Sequence, residues 1–124
     1  MAETLKTVNE FLDYTDNRKE ISAAMQFLTT DFVFVGPLIQ TSGIDEYAAL
    51  LEKFIPAHVE ARTLKQFEDG DDACLVRDLV VRTPSGGTIT LALAEWYRLR
   101  GGKIAEQRIY YDPREFARAF GLPA

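Results

Sequence analysis

Apolar residues recur with a helical period in three stretches of the N-terminal half of the chain. The stripes cover residues 5–15, 21–28 and 47–54, with apolar side chains three and four positions apart. Asn17 and Glu20 have the spacing of a capping box ahead of the second stripe. The pattern therefore predicts three N-terminal helices.

The period of the apolar positions changes to two after residue 57, which is typical of strands. Turn residues divide this half into four strands, and a further short strand lies between the second and third helices. A last short helix begins after Asp112-Pro113 and ends at Gly121. The predicted strands cover residues 31–35, 58–68, 73–83, 88–100 and 103–111.

Helices followed by an antiparallel meander indicate an α+β fold. We expect a single domain over residues 1–124, in which a cone-shaped, curved antiparallel sheet wraps around the three helices and a short helix follows. A cavity between the sheet and the helices would suit a small ligand.

Composition narrows the partners and cofactors. The chain has 124 residues and a net charge of −5, which argues against nucleic acid or an anionic membrane as a partner. One cysteine, Cys74, excludes an internal disulfide, and one histidine, His58, argues against a histidine-rich metal site. No phosphate-binding glycine loop, leader or long apolar run is present, so we expect no cofactor, no metal and a cytoplasmic protein.

Glu95 is the most informative residue, because it interrupts the otherwise apolar strand 88–100. A buried carboxylate is costly unless it is paired, protonated or functional. In an apolar cavity its pKa would rise, and it could transfer protons near neutral pH. Alternatively, Arg62, Arg77 or Arg108 of a neighbouring strand neutralises it without any chemistry. Both interpretations remain open.

Side chains alternate between the two faces of a strand, so the orientation of Glu95 fixes that of its neighbours. If Glu95 faces the cavity, Leu93, Tyr97 and Leu99 do so as well. A tryptophan flanked by alanines then lies on the outer face, and an exposed apolar sheet face usually meets a partner. This outer face consists of Ala92, Ala94, Trp96 and Arg98.

Asp78 and His58 are the other candidate proton carriers. Only one of the neighbours Arg77 and Asp78 can face the cavity, and we predict Asp78, because Val76 and Val80 would then share the lining. His58 follows the third helix near the expected mouth, where an imidazole could act as a general base or simply lie on the surface. The predicted ligand-binding residues are Phe34, Tyr47, Phe54, Leu93, Tyr97, Gln107, Ile109 and Tyr111.

Several motifs together resemble the nuclear transport factor 2-like superfamily, which includes ketosteroid isomerases, SnoaL-like polyketide cyclases and limonene epoxide hydrolase. The resemblance implies the cone-shaped fold, and a homodimer that forms through the outer sheet face with Trp96 as its anchor. It identifies a fold rather than a reaction, because this fold supports unrelated activities. The matching segments are residues 32–37, 43–47, 68–71, 95–104 and 110–113.

The resemblance also shows which family residues are missing. The general base of ketosteroid isomerases falls on Gly36, their oxyanion-binding tyrosine falls near Phe11 or Leu12, and their protonated aspartate falls on Glu95. In limonene epoxide hydrolase an arginine lies between two aspartates. There one aspartate maps near Asp78, and the other two positions map onto Ile109 and Val76.

The sequence thus predicts a small cofactor-independent isomerase, cyclase or hydrolase. It would act on a hydrophobic, oxygen-bearing small molecule by acid/base chemistry centred on Glu95. The alternative is a domain of the same fold that binds an apolar ligand or a protein without catalysis.

Overall fold

The computed structural model describes residues 3–123, in which the predicted α+β architecture is confirmed. Leu12 is followed by a π-helical turn and Phe54 by a 3₁₀ turn. No helix in the described part of the chain is long and apolar enough to cross a membrane. The elements are α1 (Glu3–Leu12), the π-helical turn (Asp13–Arg18), α2 (Ile21–Met25), β1 (Leu28–Val35), β2 (Gln40–Ser42), α3 (Ile44–Phe54), the 3₁₀ turn (Ile55–Ala57), β3 (His58–Asp69), β4 (Asp72–Arg82), β5 (Thr88–Arg100), β6 (Lys103–Tyr110) and α4 (Arg114–Phe120).

All strands described for residues 3–123 belong to one sheet, in the order β2-β1-β6-β5-β4-β3. β3 to β6 form the predicted antiparallel meander, and β1 pairs with β6 in parallel. β5 is therefore central, and its partners β4 and β6 flank Glu95. The long apolar pattern of β5 is explained by this position, because a central strand is covered by helices on its inner face.

The first helices differ from the prediction. Asn17 lies in the π-helical turn, and α2 begins only at Ile21, with no side-chain cap at Glu20. Lys19 takes the left-handed conformation, with φ of 57°, and ends the turn. The capping-box prediction is therefore wrong, because the wider π turn shifts the helical register just ahead of it.

The main core lies where α1 packs against the sheet. Val8 and Phe11 of α1, Phe32 of β1, Leu75 of β4 and Tyr97 of β5 have at most 1% of their surface exposed. Burying a side chain of this size contributes about 1.5–3 kcal/mol relative to leaving it exposed. This packing fixes α1 above the middle of the sheet. The part of β5 that precedes Tyr97 is left to line a cavity.

The predicted alternation along β5 is confirmed. Leu93, Glu95, Tyr97 and Leu99 point inward and are 0–7% exposed. Ala92, Ala94, Trp96 and Arg98 occupy the outer face and are half-buried or exposed. The side chain of Glu95 is thus directed toward the helices.

Candidate active site

A cavity of about 190 Å³ lies between the inner face of the sheet and the helices. Most of its wall is apolar and comes from every layer of the fold. A small set of polar side chains shares the same wall, as is typical of ligand-binding sites. The polar set consists of Thr15, Asp16, His58, Arg77, Glu95, Gln107 and the hydroxyl-bearing rings Tyr47 and Tyr111.

Arg77 connects two carboxylates in this wall. Its Nη1 donates to Oε1 and Oε2 of Glu95, each at 3.2 Å, and its Nη2 donates to Oδ2 of Asp16. The side chains of Arg77 and Glu95 are 6% and 8% exposed, and that of Asp16 is 16% exposed. If both carboxylates are ionised, this group of three carries a net charge of −1, so one added proton would neutralise it.

A directed chain of hydrogen bonds ends on Glu95. Tyr47 Oη donates to Oε1 of Gln107 at 2.9 Å, Gln107 Nε2 donates to Tyr97 Oη at 2.9 Å, and Tyr97 Oη donates to Glu95 Oε1 at 2.6 Å. The chain orients Glu95 and occupies one of its oxygens. Oε2 receives only the guanidinium among the described residues, so it is the oxygen better placed to face a ligand.

Burial dominates the electrostatics of Glu95. It raises the pKa of the carboxyl, while the Arg77 charge and the Tyr97 hydrogen bond lower it only in part, so the net direction is upward. Burial and the Glu95 charge also raise the pKa of Tyr97 and of Tyr47. Burial lowers the pKa of Arg77, but the neighbouring carboxylates outweigh it and raise the pKa overall. Arg77 thus stays charged, and the raised pKa of Glu95 favours its protonated form.

His58 lies at the start of β3, next to Asp16. Its Nε2 is 3.4 Å from Asp16 Oδ1, and the side chain is 10% exposed. Neither ring nitrogen makes a hydrogen bond within residues 3–123, although both are buried. Lys19 Nζ donates to the His58 carbonyl at 3.1 Å and ties the π-helical turn to β3. A buried imidazole whose nitrogens make no hydrogen bond with the described residues is available to a ligand.

The π-helical turn explains how Asp16 reaches this wall. Such turns are rare and are often found at functional sites, because the additional residue changes the direction of the side chains. Here Thr15 is buried and Asp16 is directed into the cavity, whereas Asn17 and Arg18 are exposed. An α-helix continued from α1 would have placed these residues in a different rotation.

The model of the SnoaL-like domain family matches residues 8–107. The chain belongs to this family. The predicted resemblance to the nuclear transport factor 2-like superfamily is confirmed.

Solved structures agree with the family assignment. An NTF2-like protein of unknown function from Cytophaga hutchinsonii ATCC 33406 is 31% identical over 91% of this chain and 93% of that chain, with a TM-score of 0.79. A candidate SnoaL-like polyketide cyclase from Jannaschia sp. CCS1 is 18% identical over 98% and 94%, with a TM-score of 0.80. TerC, co-crystallised with polyporic acid, is 16% identical over 94% and 97%, with a TM-score of 0.81. No curated protein matches the chain by sequence.

Two of the three predicted proton carriers of this SnoaL-like domain, Glu95 and His58, line the cavity. The prediction that Asp78 faces inward is wrong. Asp78 lies on the outer face, where its Oδ2 is 3.5 Å from Nη2 of Arg62, and Arg77 faces inward instead. The reason is charge: an inward Asp78 would leave the carboxylates of the cavity without a cation.

Most of the predicted ligand-binding residues line the cavity, with one exception. Tyr97 is fully buried behind Glu95 and does not reach the cavity, so its contact is with the carboxyl rather than with a ligand. Val76, predicted to share the lining, is 37% exposed on the other face. The residues that do line the cavity as predicted are Phe34, Tyr47, Phe54, Leu93, Gln107, Ile109 and Tyr111.

Three polar members of the cavity wall, Thr15, Asp16 and Arg77, were not predicted as site residues. Arg77 was considered only as a neutralising partner of Glu95, and the apolar positions Leu75 and Leu79 on either side of it were the available signal for its inward orientation. Asp16 had no such signal, because its position depends on the π-helical turn.

Proposed function

We propose that this SnoaL-like domain is a cofactor-independent enzyme that transfers protons on a small apolar molecule bearing an oxygen atom. Glu95 would be its acid/base centre. The observation that carries the proposal is a buried carboxyl with a raised pKa on the wall of an apolar cavity. Perturbed carboxyls in such cavities are frequent at catalytic sites, because burial brings their pKa toward the operating pH.

His58 supplies the complementary group. In the proposed step, protonated Glu95 donates its proton to the substrate oxygen while the imidazole of His58 accepts one from carbon or from water. Asp16, 3.4 Å from Nε2, would stabilise the imidazolium that forms. His58 then gives its proton to the product or to solvent, and Glu95 takes one back from the same source. The enzyme thereby returns to its initial state.

The lining disfavours steroid isomerisation. Gly36, at the position of the ketosteroid isomerase base, has no side chain, and Phe11 and Leu12 offer no hydroxyl in the place of the oxyanion-binding tyrosine. Proton abstraction next to a carbonyl would therefore fall to His58, with Glu95 protonating the oxygen. TerC was solved with polyporic acid, which supports an oxygenated ligand for this fold.

A second reaction is favoured by the position of Arg77 between Asp16 and Glu95. The resemblance to limonene epoxide hydrolase implies a similar arrangement, with an arginine held between two aspartates. In this chain the three residues come from other positions of the sequence. Asp16 would take a proton from water while the water oxygen bonds to an epoxide carbon, the ring C–O bond there breaks, and the protonated Glu95 donates its proton to the epoxide oxygen. Water addition to a small epoxide is thus the second candidate.

The test compares Glu95→Gln with a matched surface control, Glu60→Gln, whose side chain is 58% exposed on β3. Wild-type protein is incubated with cyclohexanone in D₂O, and exchange at the α-carbon is followed by proton NMR. Formation of the diol from cyclohexene oxide is followed in parallel. We expect Glu95→Gln to slow the reaction that occurs by roughly a hundredfold or more, and Glu60→Gln to leave it within twofold.

A reaction that proceeds equally in Glu95→Gln would contradict the proposed role. If neither substrate reacts while cyclohexanone still binds in the cavity, the domain binds ligands without turning them over, which is the alternative considered from the sequence.

We also propose that the domain forms a homodimer through the outer sheet face. Trp96 is half-buried there, its Nε1 donates to Asp72 Oδ1 at 2.8 Å, and the Arg98 guanidinium lies 5.1 Å from the centre of its ring. Val76 and Tyr110 on the same face are 37% and 55% exposed. Analytical ultracentrifugation should show a dimer that Trp96→Ala dissociates, and a wild-type monomer at 100 μM would refute the proposal.

A further inference from the structure

The C-terminal helix α4 covers one end of the cavity. Its Phe116 is 8% exposed, lines the cavity and packs in one apolar cluster with Val81, Leu91 and Leu93. Phe120, one turn later, stacks on Phe116 with ring centres 4.4 Å apart but does not line the cavity. The two rings share a helix and a cluster, and only one of them borders the space that a ligand would fill.

The other end of the cavity is the polar one. Glu95 of β5 lies at this polar end, and Leu93 and Leu91 line the cavity at successive inward positions of the same strand. Leu91 is four residues from Glu95, which corresponds to about 13 Å along a strand. The cavity therefore runs along β5 from Glu95 toward α4, so a ligand with its oxygen at Glu95 directs its apolar end toward Phe116.

The volume restricts what fits between these ends. A cavity of about 150 Å³ accommodates benzene, and this cavity measures about 190 Å³. One substituted ring fills such a space, and Phe116 borders its apolar end. Phe54 and Tyr111 flank Phe116, with ring centres 5.7 and 6.3 Å from it, so the ring has little freedom to move aside.

We propose that Phe116 closes the apolar end of the cavity and limits its ligands to a single substituted ring whose polar group faces Glu95. The inference rests on the proposed function only for the position of the polar group. Phe116 is thus the residue that determines ligand size, and the adjacent Phe120 supports it without taking part.

The test uses two phenols that differ only at the position opposite the hydroxyl. Binding of 4-methylphenol and of 4-phenylphenol is measured by NMR titration, with the amide resonances of β5 as reporters. We expect the wild type to bind 4-methylphenol at least tenfold more tightly than 4-phenylphenol. Phe116→Ala should reverse this order by improving 4-phenylphenol at least tenfold, and Phe120→Ala should preserve the wild-type order.

Three results would overturn the inference. They are equal binding of both phenols by the wild type, an equal effect of Phe120→Ala and Phe116→Ala, and the absence of any shift in β5 with either phenol. If Phe116→Ala does not fold, Phe116→Leu is used, and a smaller gain for 4-phenylphenol is expected.

The outcome is separate from that of the proposed function. A size limit set by Phe116 remains if no proton transfer is found with any substrate. Conversely, if the reaction depends on Glu95 but both phenols bind equally well, only the size limit fails.

Discussion

Replacing Arg77 by methionine removes the guanidinium between Asp16 and Glu95 and leaves two carboxyls in an apolar wall. The side chains of Arg77 and Glu95 are 6% and 8% exposed, so water cannot take over the role of the cation. Removing one partner of a buried pair costs about 3–5 kcal/mol. For a domain of this size, that corresponds to a fall of about 10–20 °C in Tm.

The cost should depend on pH. Arg77 lowers the pKa of Glu95, so its removal moves an already raised pKa further up. A carboxyl whose pKa is higher in the folded than in the unfolded state holds its proton more tightly when folded. The stability of Arg77→Met therefore falls as the pH rises above the unfolded value and through the folded one. The wild type shares the first part of this fall, so the deficit grows between the folded pKa of Glu95 in the wild type and its higher folded pKa in the variant. Urea denaturation at pH 5 and pH 8 measures this difference.

Arg62→Met is the matched control, since Arg62 is 62% exposed on β3 and pairs with Asp78. Its loss should stay below about 1 kcal/mol. The double variant Arg77→Met/Glu95→Gln should recover part of the loss, because the amide needs no counter-charge. An Arg77→Met cost no larger than that of Arg62→Met, or one that does not change with pH, would refute this reasoning.

Three further outcomes follow from the same contacts. Tyr97→Phe removes a donor to Glu95 and an acceptor for Gln107. It should lower the free energy of unfolding, measured by urea denaturation, by about 1–3 kcal/mol. A loss below about 0.5 kcal/mol would show that the chain of hydrogen bonds contributes little to stability. Asp78→Asn should lose less than about 1 kcal/mol and leave ligand affinity unchanged, because Asp78 pairs with exposed Arg62 outside the cavity; a large loss of affinity would place it in the site after all. The wild type should lose stability as the pH rises above 4.5, since the pKa of Glu95 is raised in the folded state. The free energy of unfolding of Glu95→Gln should fall less over the same pH range. Identical profiles of unfolding free energy against pH would argue against a raised pKa.

The fold could be predicted because its signals are local. The change of period after residue 57 and the glycine-containing turns separated the strands, and the bounds predicted for β5 agree with the structure. β2 was missed because its three residues, Gln40–Ser42, are too few to show a period. The second helix was misplaced because the π-helical turn alters the spacing on which the prediction relied.

The site could be predicted only in part. Glu95 stood out because a charged residue in an apolar strand requires an explanation. The choice between Arg77 and Asp78 was wrong because apolar residues flank both positions, Leu75 and Leu79 around Arg77 and the valines around Asp78, so alternation alone was a weak signal. The deciding factor was the charge of Asp16, which comes from a distant part of the sequence and reaches the cavity only through tertiary structure.

The most direct measurement is the titration of the Glu95 side chain by carbon-13 NMR, with Glu95→Gln to assign the resonance. We predict a midpoint clearly above the ordinary value of 4.5, because burial outweighs the influence of Arg77 and Tyr97. A raised midpoint increases the protonated fraction of Glu95 that can donate to a ligand in the cavity. A midpoint at or below 4.5 would mean that Arg77 holds Glu95 as a permanent carboxylate, and would contradict its role as an acid.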